Sequence, residues 1–249
     1  MIESTDNQHL KAIRKLREKK HRAATELFVA EGEDLVLAGL EHGWVVDGLF
    51  YLDGAPATVS SHAAAQECSE SALSGASTLG SGTRVIGVFR QQWSQPGGDL
   101  SVYLDGVSDP GNIGTMLRSA LAFADGPVIL GPGCADPYSP KAVRASMGAI
   151  FARPPARATL AQLAGTTVAL DARASQELHD LQVSAPVVIC IGAERAGLSM
   201  QAVVGAKVTA RIAMSPDGPE SVNAGVAASI ALYVVGQRFQ GQNEKETTR

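Results

Sequence analysis

The sequence predicts an α/β protein whose second half contains a parallel sheet with helices on both faces. Three observations predict it. The composition, 45% hydrophobic and 18% charged over 249 residues, is typical of a globular protein. A polar stretch with Pro96, Gly97 and Gly98 divides the chain in the manner of a linker. Beyond it, helical segments alternate with short apolar runs at Val102–Leu104, Val128–Leu130, Val168–Leu170 and Val187–Ile191.

The first block is predicted to be a smaller α/β domain that covers residues 1–92. Its apolar runs and helical periodicity predict strands at Leu27–Ala30, Val45–Leu52 and Val85–Phe89, a helix at Glu31–Leu40, and a partly helical stretch at Ser60–Ser77. Residues 93–99 are predicted to form the linker, residues 100–240 the second domain, and residues 241–249 a disordered polar tail.

In the second domain, helical segments are predicted at Asn112–Ala124 and Ser139–Ile150, and a further strand at Ala210–Met214. Ser221–Phe239 is the predicted final helix. Between Ala224 and Val235 this helix is apolar nearly all round, so it is expected to be buried on more than one side, with a subunit interface as the second cover.

The formal net charge of −4 excludes a protein that coats nucleic acid by its global charge. A local basic segment, HLKAIRKLREKKHR, combines clustered cations with apolar residues at helical spacing, which predicts a basic amphipathic helix. This helix is either a solvated face or a phosphate-binding surface. Its candidate RNA-binding residues are Lys11, Arg14, Lys15, Lys19, Lys20 and Arg22.

Cysteine and histidine usage gives no sign of a metal site or a disulfide framework. Cys68, Cys134 and Cys190 stand far apart, and the five histidines lack the spacing of a zinc helix. The first residues lack the layout of a signal peptide, and the longest apolar run is too short to span a bilayer. We therefore expect a cytoplasmic protein with no metal and no membrane contact.

The first of three polar segments in the second domain is LDGVSDPGNIGTMLRSALAFA. A predicted strand turns tightly into a helix, for which Asn112 is the expected N-cap. Arg118 lies off the apolar stripe and near the helix start, where α/β folds place ligands. From the residues alone, Arg118 is either a ligand-binding group or a surface arginine on an ordinary crossover helix.

The second segment is VVICIGAERAGLS and the third is ARIAMSPDGPESVNAGVAA. In the second, Gly192 permits a close backbone approach and Glu194 can accept a hydrogen bond, or the segment is a plain strand-to-helix turn. In the third, Ser221 and Asn223 cap the last helix, or Asn223 holds a ligand or another loop. Phosphate-loop, nucleophile-elbow and dinucleotide fingerprints are absent, which disfavours kinases, hydrolases and nucleotide-dependent enzymes of other kinds.

Taken together and in order, the three segments resemble the SpoU/TrmH branch of the SPOUT methyltransferases. The first motif is carried by Asp109, Pro110, Asn112, Gly114 and Arg118. The second is carried by Gly192, Glu194, Gly197, Leu198 and Ser199. The third is carried by Ile212, Ala213 and Met214, then Ser221, Val222 and Asn223. The stretch FVAEGEDLVLAGL looks like the substrate-binding domain of that family, which has an L30e-like fold.

The resemblance implies a C-terminal α/β domain tied in a trefoil knot, the cofactor S-adenosylmethionine, and a homodimer formed through the C-terminal helices. It implies methylation of a ribose 2′-OH in structured RNA. By motif match, the cofactor contacts are Gly192, Leu198, Ile212, Ala213 and Val222. Likewise, the residues implied at the catalytic centre are Asn112, Arg118, Glu194, Ser221 and Asn223.

Two departures from the family pattern concern the cofactor loop. Ala213 stands where the family has Pro, and Val222 stands where it has Leu. If the contacts there are mainly to the backbone, both changes are tolerated; otherwise they mark a weakened cofactor site. The favoured substrate is 23S ribosomal RNA, because an appended domain with a basic helix suits a structured target. Transfer RNA is the alternative substrate, and a non-catalytic RNA-binding protein that keeps the fold is the competing class.

Overall fold

The structure, a computed structural model, describes residues 1–79 and 82–247, with side chains through Phe239. The helices are α1 (Gln8–Lys15), α2 (Lys19–Thr25), α3 (Glu33–Glu41), α4 (Ala57–Ser60), α5 (Glu70–Ala76), α6 (Pro110–Phe123), α7 (Pro140–Ser146), α8 (Ala149–Ala152), α9 (Met200–Gly205) and α10 (Ala224–Thr247). The strands are β1 (Leu27–Glu31), β2 (Val46–Tyr51), β3 (Ala65–Glu67), β4 (Val85–Arg90), β5 (Leu100–Asp105), β6 (Val128–Leu130), β7 (Ala156–Arg157), β8 (Thr166–Leu170), β9 (Val187–Gly192) and β10 (Val208–Ala210). Two short 3₁₀ helices lie at Leu160–Gln162 and Leu178–Asp180.

The chain forms two compact units. The first contains residues 1–92 and 136–152, and the second contains residues 93–135 and the chain from Arg153 onward. The first unit has a mixed sheet of order β1-β4-β2-β3, in which β4 runs antiparallel to both neighbours and β3 runs parallel to β2. The strands predicted in this block at β1, β2 and β4 are found within two residues of their predicted bounds.

A cluster of aromatic rings fills one side of the first unit. Phe28 lies 4.7 Å from Tyr138 and 5.7 Å from Phe151, measured between ring centroids. Trp44 packs edge-on against Phe151 and donates its indole N–H to the Phe151 carbonyl at 2.9 Å. The sequence predicts that residues 136–152 belong to the domain of residues 100–240. These ring contacts place that segment in the first unit, since aromatic side chains contribute most where they are fully buried together.

The basic segment forms two short helices and not the single helix predicted. α1 ends at Leu16, and α2 begins after Glu18, whose backbone is extended. The break depends on Arg22, which is 3% exposed. Its Nη1 atom donates to the carbonyls of Leu16 at 2.7 Å and Arg17 at 2.8 Å, so the arginine satisfies backbone acceptors that the first helix leaves free at its end.

Arg22 also forms a buried ion pair, which corrects its predicted role. Its Nε and Nη2 atoms both lie 2.8 Å from Oδ2 of Asp136. Four of its five N–H donors are bonded, and a guanidinium that is only 3% exposed is not accessible to a phosphate. Arg22 is therefore a structural residue of the first unit, and it leaves the set of candidate RNA-binding residues.

The second unit confirms the predicted α/β class. Its six strands form an all-parallel sheet of order β10-β8-β9-β5-β6-β7. The two central strands, β5 and β9, are buried along nearly their whole length, as a sheet covered on both faces requires. The two-residue strand β7 was not predicted. The last strand, β10, ends at Ala210, where the predicted strand began.

The long final helix α10 covers the sheet with one face and leaves another exposed. Ala228, Ala231 and Leu232 are buried, whereas Val226 is 46% exposed and Tyr233 is 51% exposed. The helix continues to Thr247 through the stretch for which a disordered tail was predicted, because residues such as Gln, Glu and Lys form helix readily. The last two residues of that predicted tail lie outside the described residues.

Within the described part of the chain, no helix has both the length and the apolar character needed to cross a membrane.

Replacing Arg22 with alanine tests the buried ion pair. The substitution leaves Asp136 buried without its partner, and breaking a buried pair in this way costs about 3–5 kcal/mol. We expect the free energy of unfolding, measured by urea denaturation, to fall by an amount in this range. The matched control is Lys19→Ala, at an exposed cation of the same segment, for which a change within about 0.5 kcal/mol is expected. Equal effects of the two substitutions would contradict the structural role of Arg22.

Candidate active site at the carboxyl edge of the parallel sheet

The neighbouring strands β5 and β9 end side by side, and the chain leaves them toward opposite edges of the sheet. Asp105, the last residue of β5, is paired in register with Gly192, the last residue of β9. The chain leaves β5 through α6 toward β6 on one side, and it leaves β9 through α9 toward the opposite edge of the sheet. Open α/β sheets bind ligands in the crevice at such a switch point. Two of the three motif segments begin here.

Helix α6 begins directly after the turn that follows β5. The side chain of Asp109 accepts hydrogen bonds from the backbone N–H of Gly111 at 2.6 Å and of Asn112 at 3.1 Å, so Asp109 is the N-cap. Pro110 occupies the first helical position, where its missing N–H has no cost. The expectation that Asn112 caps the helix was therefore wrong. An aspartate followed by proline is the better N-cap signal, and it leaves the Asn112 side chain free for another contact.

That contact is with Glu194, from the loop after β9. The amide nitrogen of Asn112 donates to Oε1 of Glu194 at 2.8 Å. The same carboxylate accepts from the backbone N–H groups of Asp109 at 3.3 Å and Ser108 at 3.4 Å, and from the Ser108 hydroxyl at 3.3 Å. One carboxylate thus ties the second motif to the first, at a helix N-terminus that favours negative charge.

These donors determine the protonation of Glu194. Burial alone would raise the pKa of its carboxyl, but the hydrogen bonds from Asn112 and from the backbone of Asp109 and Ser108 outweigh burial, and the pKa lies below its ordinary value. The group is therefore an ionised acceptor at neutral pH. A carboxylate held in this state is a weak base, so Glu194 is suited to hold its neighbours in position.

Asp105 is a further residue of the candidate site, and the motifs of the sequence did not identify it. Its Oδ2 atom accepts a hydrogen bond from the backbone N–H of Ser199 at 2.8 Å. Ser199 is in turn the N-cap of α9, with its side chain accepting from Ala202. An acidic residue at the carboxyl end of a strand was the available signal. Asp105 thereby fixes the far end of the loop that carries Glu194.

Gly192 and Gly197 allow that loop to fold tightly. Ala193 and Gly197 exchange two backbone hydrogen bonds, at 3.0 and 2.9 Å. A side chain at Gly192 would place its Cβ 2.0 Å from backbone atoms of both Gly197 and Leu198, so only glycine fits there. Leu198 packs against the buried cluster beneath the sheet, which includes Tyr103. The second motif is therefore a closely packed loop with backbone at its surface.

The titratable groups beneath the site are not nucleophiles. Burial, and then the nearby Asp105 carboxylate, raises the pKa of the Cys190 thiol to about 12. Burial, followed by the same carboxylate, also raises the pKa of Tyr103 to about 12, and burial raises that of Cys134. A thiolate or phenolate is thus not formed by these groups near neutral pH. The chemistry available here is hydrogen bonding and positioning.

Helices α6 and α10 run side by side in the same direction. The Thr115 side chain lies next to Gly225, the Ser119 hydroxyl hydrogen-bonds that of Ser229 at 2.7 Å, and the ring of Phe123 packs edge-on against Tyr233 at 5.5 Å. Each contact advances by four residues on both helices, which is one helical turn. The beginnings of the two helices therefore lie at the same end.

This arrangement brings the third motif to the start of α6. Asn223 is the N-cap of α10, because its Oδ1 accepts from the backbone N–H of Gly225 at 2.8 Å and of Val226 at 3.3 Å. The prediction that Asn223 caps the last helix is thus confirmed. The first turn of this helix packs against Thr115 of α6. Arg118 lies one turn further along α6 and is exposed. Ser221 is also exposed, in the loop before α10.

Residues 99–233 match the SpoU rRNA Methylase family, a range that exceeds half of the chain. The chain belongs to this family. Residues 7–87 match the MRM3-like substrate binding domain, which corresponds to the predicted substrate-binding block.

Several proteins are similar to this SpoU-family chain, and the first two of those that follow match nearly its whole length. The 23S rRNA (guanosine(2553)-2′-O)-methyltransferase RlmP of Bacillus subtilis (strain 168) is 29% identical over 93% of this chain and 97% of its own length. The crystal structure of an AdoMet-bound rRNA methyltransferase from Sinorhizobium meliloti is 32% identical, with a TM-score of 0.83, over 96% of this chain and 97% of that chain. The 23S rRNA (uridine(2479)-2′-O)-methyltransferase of Streptomyces viridochromogenes is 34% identical over 57% of this chain and 54% of its own length.

The predicted cofactor residues lie in two loops of this SpoU-family domain. Gly192 and Leu198 belong to the packed loop after β9. Ile212, Ala213 and Val222 belong to the loop between β10 and α10, in which residues 213–221 are exposed. In the described part of the chain, the amides of residues 212–222 form one internal backbone hydrogen bond, from Gly218 to Ser215. Most of the backbone polar groups of this loop are therefore available to a ligand.

The basic residues of the substrate-binding domain divide by type. The arginines donate to backbone carbonyls: Arg14 to Thr5 at 2.8 Å, and Arg17 to Ala76 and Ser77 at 2.9 and 2.7 Å. The lysines are exposed, and those with an ion-pair partner have one that is itself exposed. The pairs are Lys11 with Asp6 at 3.2 Å and Lys20 with Glu18 at 2.9 Å. Such pairs are easily exchanged for a phosphate because surface ion pairs are weak.

Three side chains of the catalytic domain approach one another closely enough to share a metal ion, namely Glu177, His179 and Asp180. Glu177 is already paired with Arg211 at 2.6 Å, and the other two side chains are exposed. The cluster is explained as a surface ion-pair network. The expectation of no metal stays a prediction.

Replacing Asn112 with alanine tests the contact that joins the two motifs. The substitution removes the shortest hydrogen bond to the ionised carboxylate, so the pKa of Glu194 is expected to rise toward its ordinary value of 4.5. The carboxyl carbon of Glu194, followed by NMR through a pH titration, reports this directly. Thr115→Ala is the control, because Thr115 lies on the next turn and bonds Gly111 instead.

The lowered pKa of Glu194 also makes the stability of the folded protein depend on pH. In the wild type the pKa of Glu194 is lower in the folded than in the unfolded chain, so its contribution is present above pH 4.5 and is lost as the pH falls below that value. Glu194→Gln removes this dependence and is expected to flatten acid unfolding in that window. For the first of these two variants, Asn112→Ala, an unchanged pKa of Glu194 would show that the Asn112 and Glu194 side chains are not in contact.

Proposed function

We propose that this protein transfers the methyl group of S-adenosylmethionine to a ribose 2′-OH of 23S ribosomal RNA. The observation that carries the proposal is the hydrogen bonding of Glu194 to Asn112, Asp109 and Ser108, which joins the first two family motifs at the switch point of the sheet. The names of the similar proteins from Bacillus and Streptomyces specify 23S rRNA, which favours ribosomal over transfer RNA.

The loops at the sheet edge fit the cofactor by their backbone. Gly192 leaves no room for a side chain, and the exposed loop at residues 212–222 has backbone donors and acceptors that the described chain does not use. Contacts of this kind do not depend on the side chains at Ala213 and Val222, so these departures from the family pattern are compatible with binding. S-adenosylmethionine, when bound, supplies an electrophilic methyl group on a sulfonium.

In this proposal Arg118 is the catalytic residue. A ribose hydroxyl is a poor nucleophile, and its oxygen gains negative charge as it attacks. A guanidinium has five N–H donors and no acceptor atom, so Arg118 is suited to hold an RNA phosphate and to stabilise the developing charge on oxygen. It is unsuited to accept the proton.

The remaining motif residues act as positioning residues. Asn112 and Glu194 hold the start of α6 against the loop after β9, and Asn223 holds the start of α10 beside them. Ser221 is exposed next to Asn223, where it is available to the ribose or the cofactor. Methyl transfer is an in-line displacement, so its rate depends on how exactly the oxygen, carbon and sulfur are aligned. The closely packed loop after β9, held on a buried sheet, serves that need.

The proposal includes three further features of the family, namely a knotted chain, a dimer and action in the cytoplasm. A trefoil knot in the C-terminal chain is supported by similarity to SpoU-family structures. A homodimer is supported by the exposed apolar residues Val226 and Tyr233, which lie on one face of α10. Action in the cytoplasm is supported by the proposed ribosomal substrate.

Replacing Arg118 with alanine tests the proposed catalytic role. Loss of a group that stabilises transition-state charge lowers the rate by about 10²–10³-fold or more. We expect methyl incorporation into 23S rRNA from labelled S-adenosylmethionine to fall by at least that factor, with cofactor affinity unchanged in calorimetry. The control is Arg173→Ala, at an exposed arginine paired with Asp171. Activity near that of the wild type would remove Arg118 from the mechanism.

The proposed reaction itself is tested in cells. Mass-spectrometric mapping of ribose methylation, with and without the gene, is expected to show one 2′-O-methyl group in 23S rRNA that disappears with the gene. Failure of the purified protein to bind S-adenosylmethionine would favour a non-catalytic RNA-binding protein. Loss of a methyl group from transfer RNA alone would assign the other substrate.

Replacing Val226 with glutamate tests the proposed dimer. The charge would lie on the exposed face of α10, where burial of an unpaired carboxylate against a second copy is costly. We expect the mass measured by light scattering to fall from that of a dimer to that of a monomer. Val204→Glu is the matched control, since Val204 is a 77% exposed valine on α9. A wild-type protein that is already monomeric would contradict the proposal.

A further inference from the structure

The substrate-binding domain contains a groove between the basic segment and the sheet. Its floor is apolar and is formed by Ile13 and Leu16 from the basic segment and by Leu27, Phe50 and Val88 from the sheet. The volume is about 130 Å³. Sites for whole small-molecule ligands measure about 300–1,000 Å³. The groove therefore has room for one flat ring system and not for a complete nucleotide cofactor.

One exposed ring on this groove, supported by a buried ring, is placed to contact a flat group. The imidazole of His9, on α1, lies 6.0 Å from the ring of Phe50, on β2, measured between centroids. Phe50 is 2% exposed, so its ring is held in place, whereas His9 is exposed at the rim. Gly48 is needed for this placement, because a Cβ there would lie 2.9 Å from the Phe50 ring.

The rim carries groups that suit a nucleotide of RNA. Lys15 and His21 line it on the side of the basic segment, next to the exposed lysines of α1 and α2. Asp47 lines the opposite side, at the irregularity in β2 between Val46 and Gly48. Bulges of this kind re-aim a side chain. A carboxylate accepts from the amino group of a base, and a lysine binds the phosphate beside it.

We propose that this groove binds one unstacked base of the RNA substrate, with the base against the exposed imidazole of His9 above the apolar floor of the groove and the adjoining phosphate at Lys15. The inference rests on the proposed function, which supplies RNA as the partner. Single-stranded RNA is recognised in this way, by stacking of splayed bases on aromatic side chains and by hydrogen bonds to their edges. Asp47 favours a base that presents an amino group, which is cytosine, adenine or guanine and not uracil.

The test measures binding of the full-length protein to a 23S rRNA transcript by filter retention over a series of salt concentrations. His9→Ala is expected to weaken binding about tenfold with an unchanged salt dependence, because stacking involves no counterion release. Lys15→Ala is expected to weaken binding and to reduce the slope of log affinity against log salt by about one. Phe50 is left intact because it is part of the core.

The matched control is His42→Ala, at an exposed histidine of the same domain that does not line the groove. Equal affinities of His9→Ala and His42→Ala would overturn the proposal. A reduced salt slope in His9→Ala would also overturn it, since that result assigns His9 to a phosphate contact.

A second measurement addresses the base. Short oligomers of each of the four nucleotides compete with the transcript, and the wild type is expected to prefer a base with an amino group over uracil. Asp47→Asn is expected to reduce that preference at least several-fold. Equal competition by all four oligomers against the wild type would overturn the role of Asp47.

These readouts are separate from catalysis. If the wild type binds the transcript but never methylates it, the proposed reaction fails while the groove is still tested by the binding series. If it methylates the transcript and His9→Ala binds like the control, the groove inference fails while the reaction stands.

Discussion

The structure of the candidate site, at the carboxyl edge of the parallel sheet, depends on the hydrogen bonds of the Glu194 carboxylate. Strands β5 and β9 are adjacent, but the chain leaves them toward opposite edges of the sheet. Asp105 of β5 fixes only the far end of the loop after β9. Glu194 joins the loops that follow the two strands by accepting hydrogen bonds from Asn112 and from the backbone before α6. A neutral acceptor would make weaker bonds, since charge-assisted hydrogen bonds are roughly twice as strong. The same bonds hold the carboxylate ionised, so geometry and protonation state have one cause.

The parallel pairing of α6 and α10 extends this constraint to the end of the chain. Small residues permit it: Gly225 accommodates Thr115, and a side chain at Gly236 would lie 2.4 Å from the Phe123 carbonyl. The close contact carries the loop before α10 to the same end as the start of α6. Residues more than a hundred positions apart therefore meet at one edge, although the sequence between them forms five further strands.

The sequence predicted the class of the fold and the motif segments because both depend on local patterns. Short apolar runs and helical stripes recur wherever a buried parallel sheet is covered by helices, and the strands β5, β8 and β9 were found as predicted. The errors concern long-range contacts. Arg22 was predicted to bind RNA together with the neighbouring cations, because its ion-pair partner Asp136 lies far along the chain. The segment at residues 136–152 read as part of the second domain, because no local pattern reports that Tyr138 and Phe151 pack on Phe28.

Within the candidate site, the sequence identified the polar residues but not their tasks. Asn112 was assigned a cap that Asp109 provides, and Asp105 was overlooked because an acid at the end of a strand has many explanations. Which side chain bonds which loop is decided by the register of β5 against β9, and that register is a property of the sheet. The motifs identify which residues lie at the candidate site, whereas the register of the sheet determines which of them bond to one another.

The basic segment shows how one run of cations serves two purposes. Arginine forms several directed bonds from one planar group, and lysine carries a compact, mobile charge. Here Arg14, Arg17 and Arg22 each bond backbone carbonyls, so they fix the shape of the two short helices. The lysines are left at the surface, next to the groove that ends at Phe50. The arginines fix the positions of α1 and α2. The lysines can therefore exchange their weak ion pairs for phosphates of the proposed RNA substrate without any change in the fold. A reversible RNA contact requires this property.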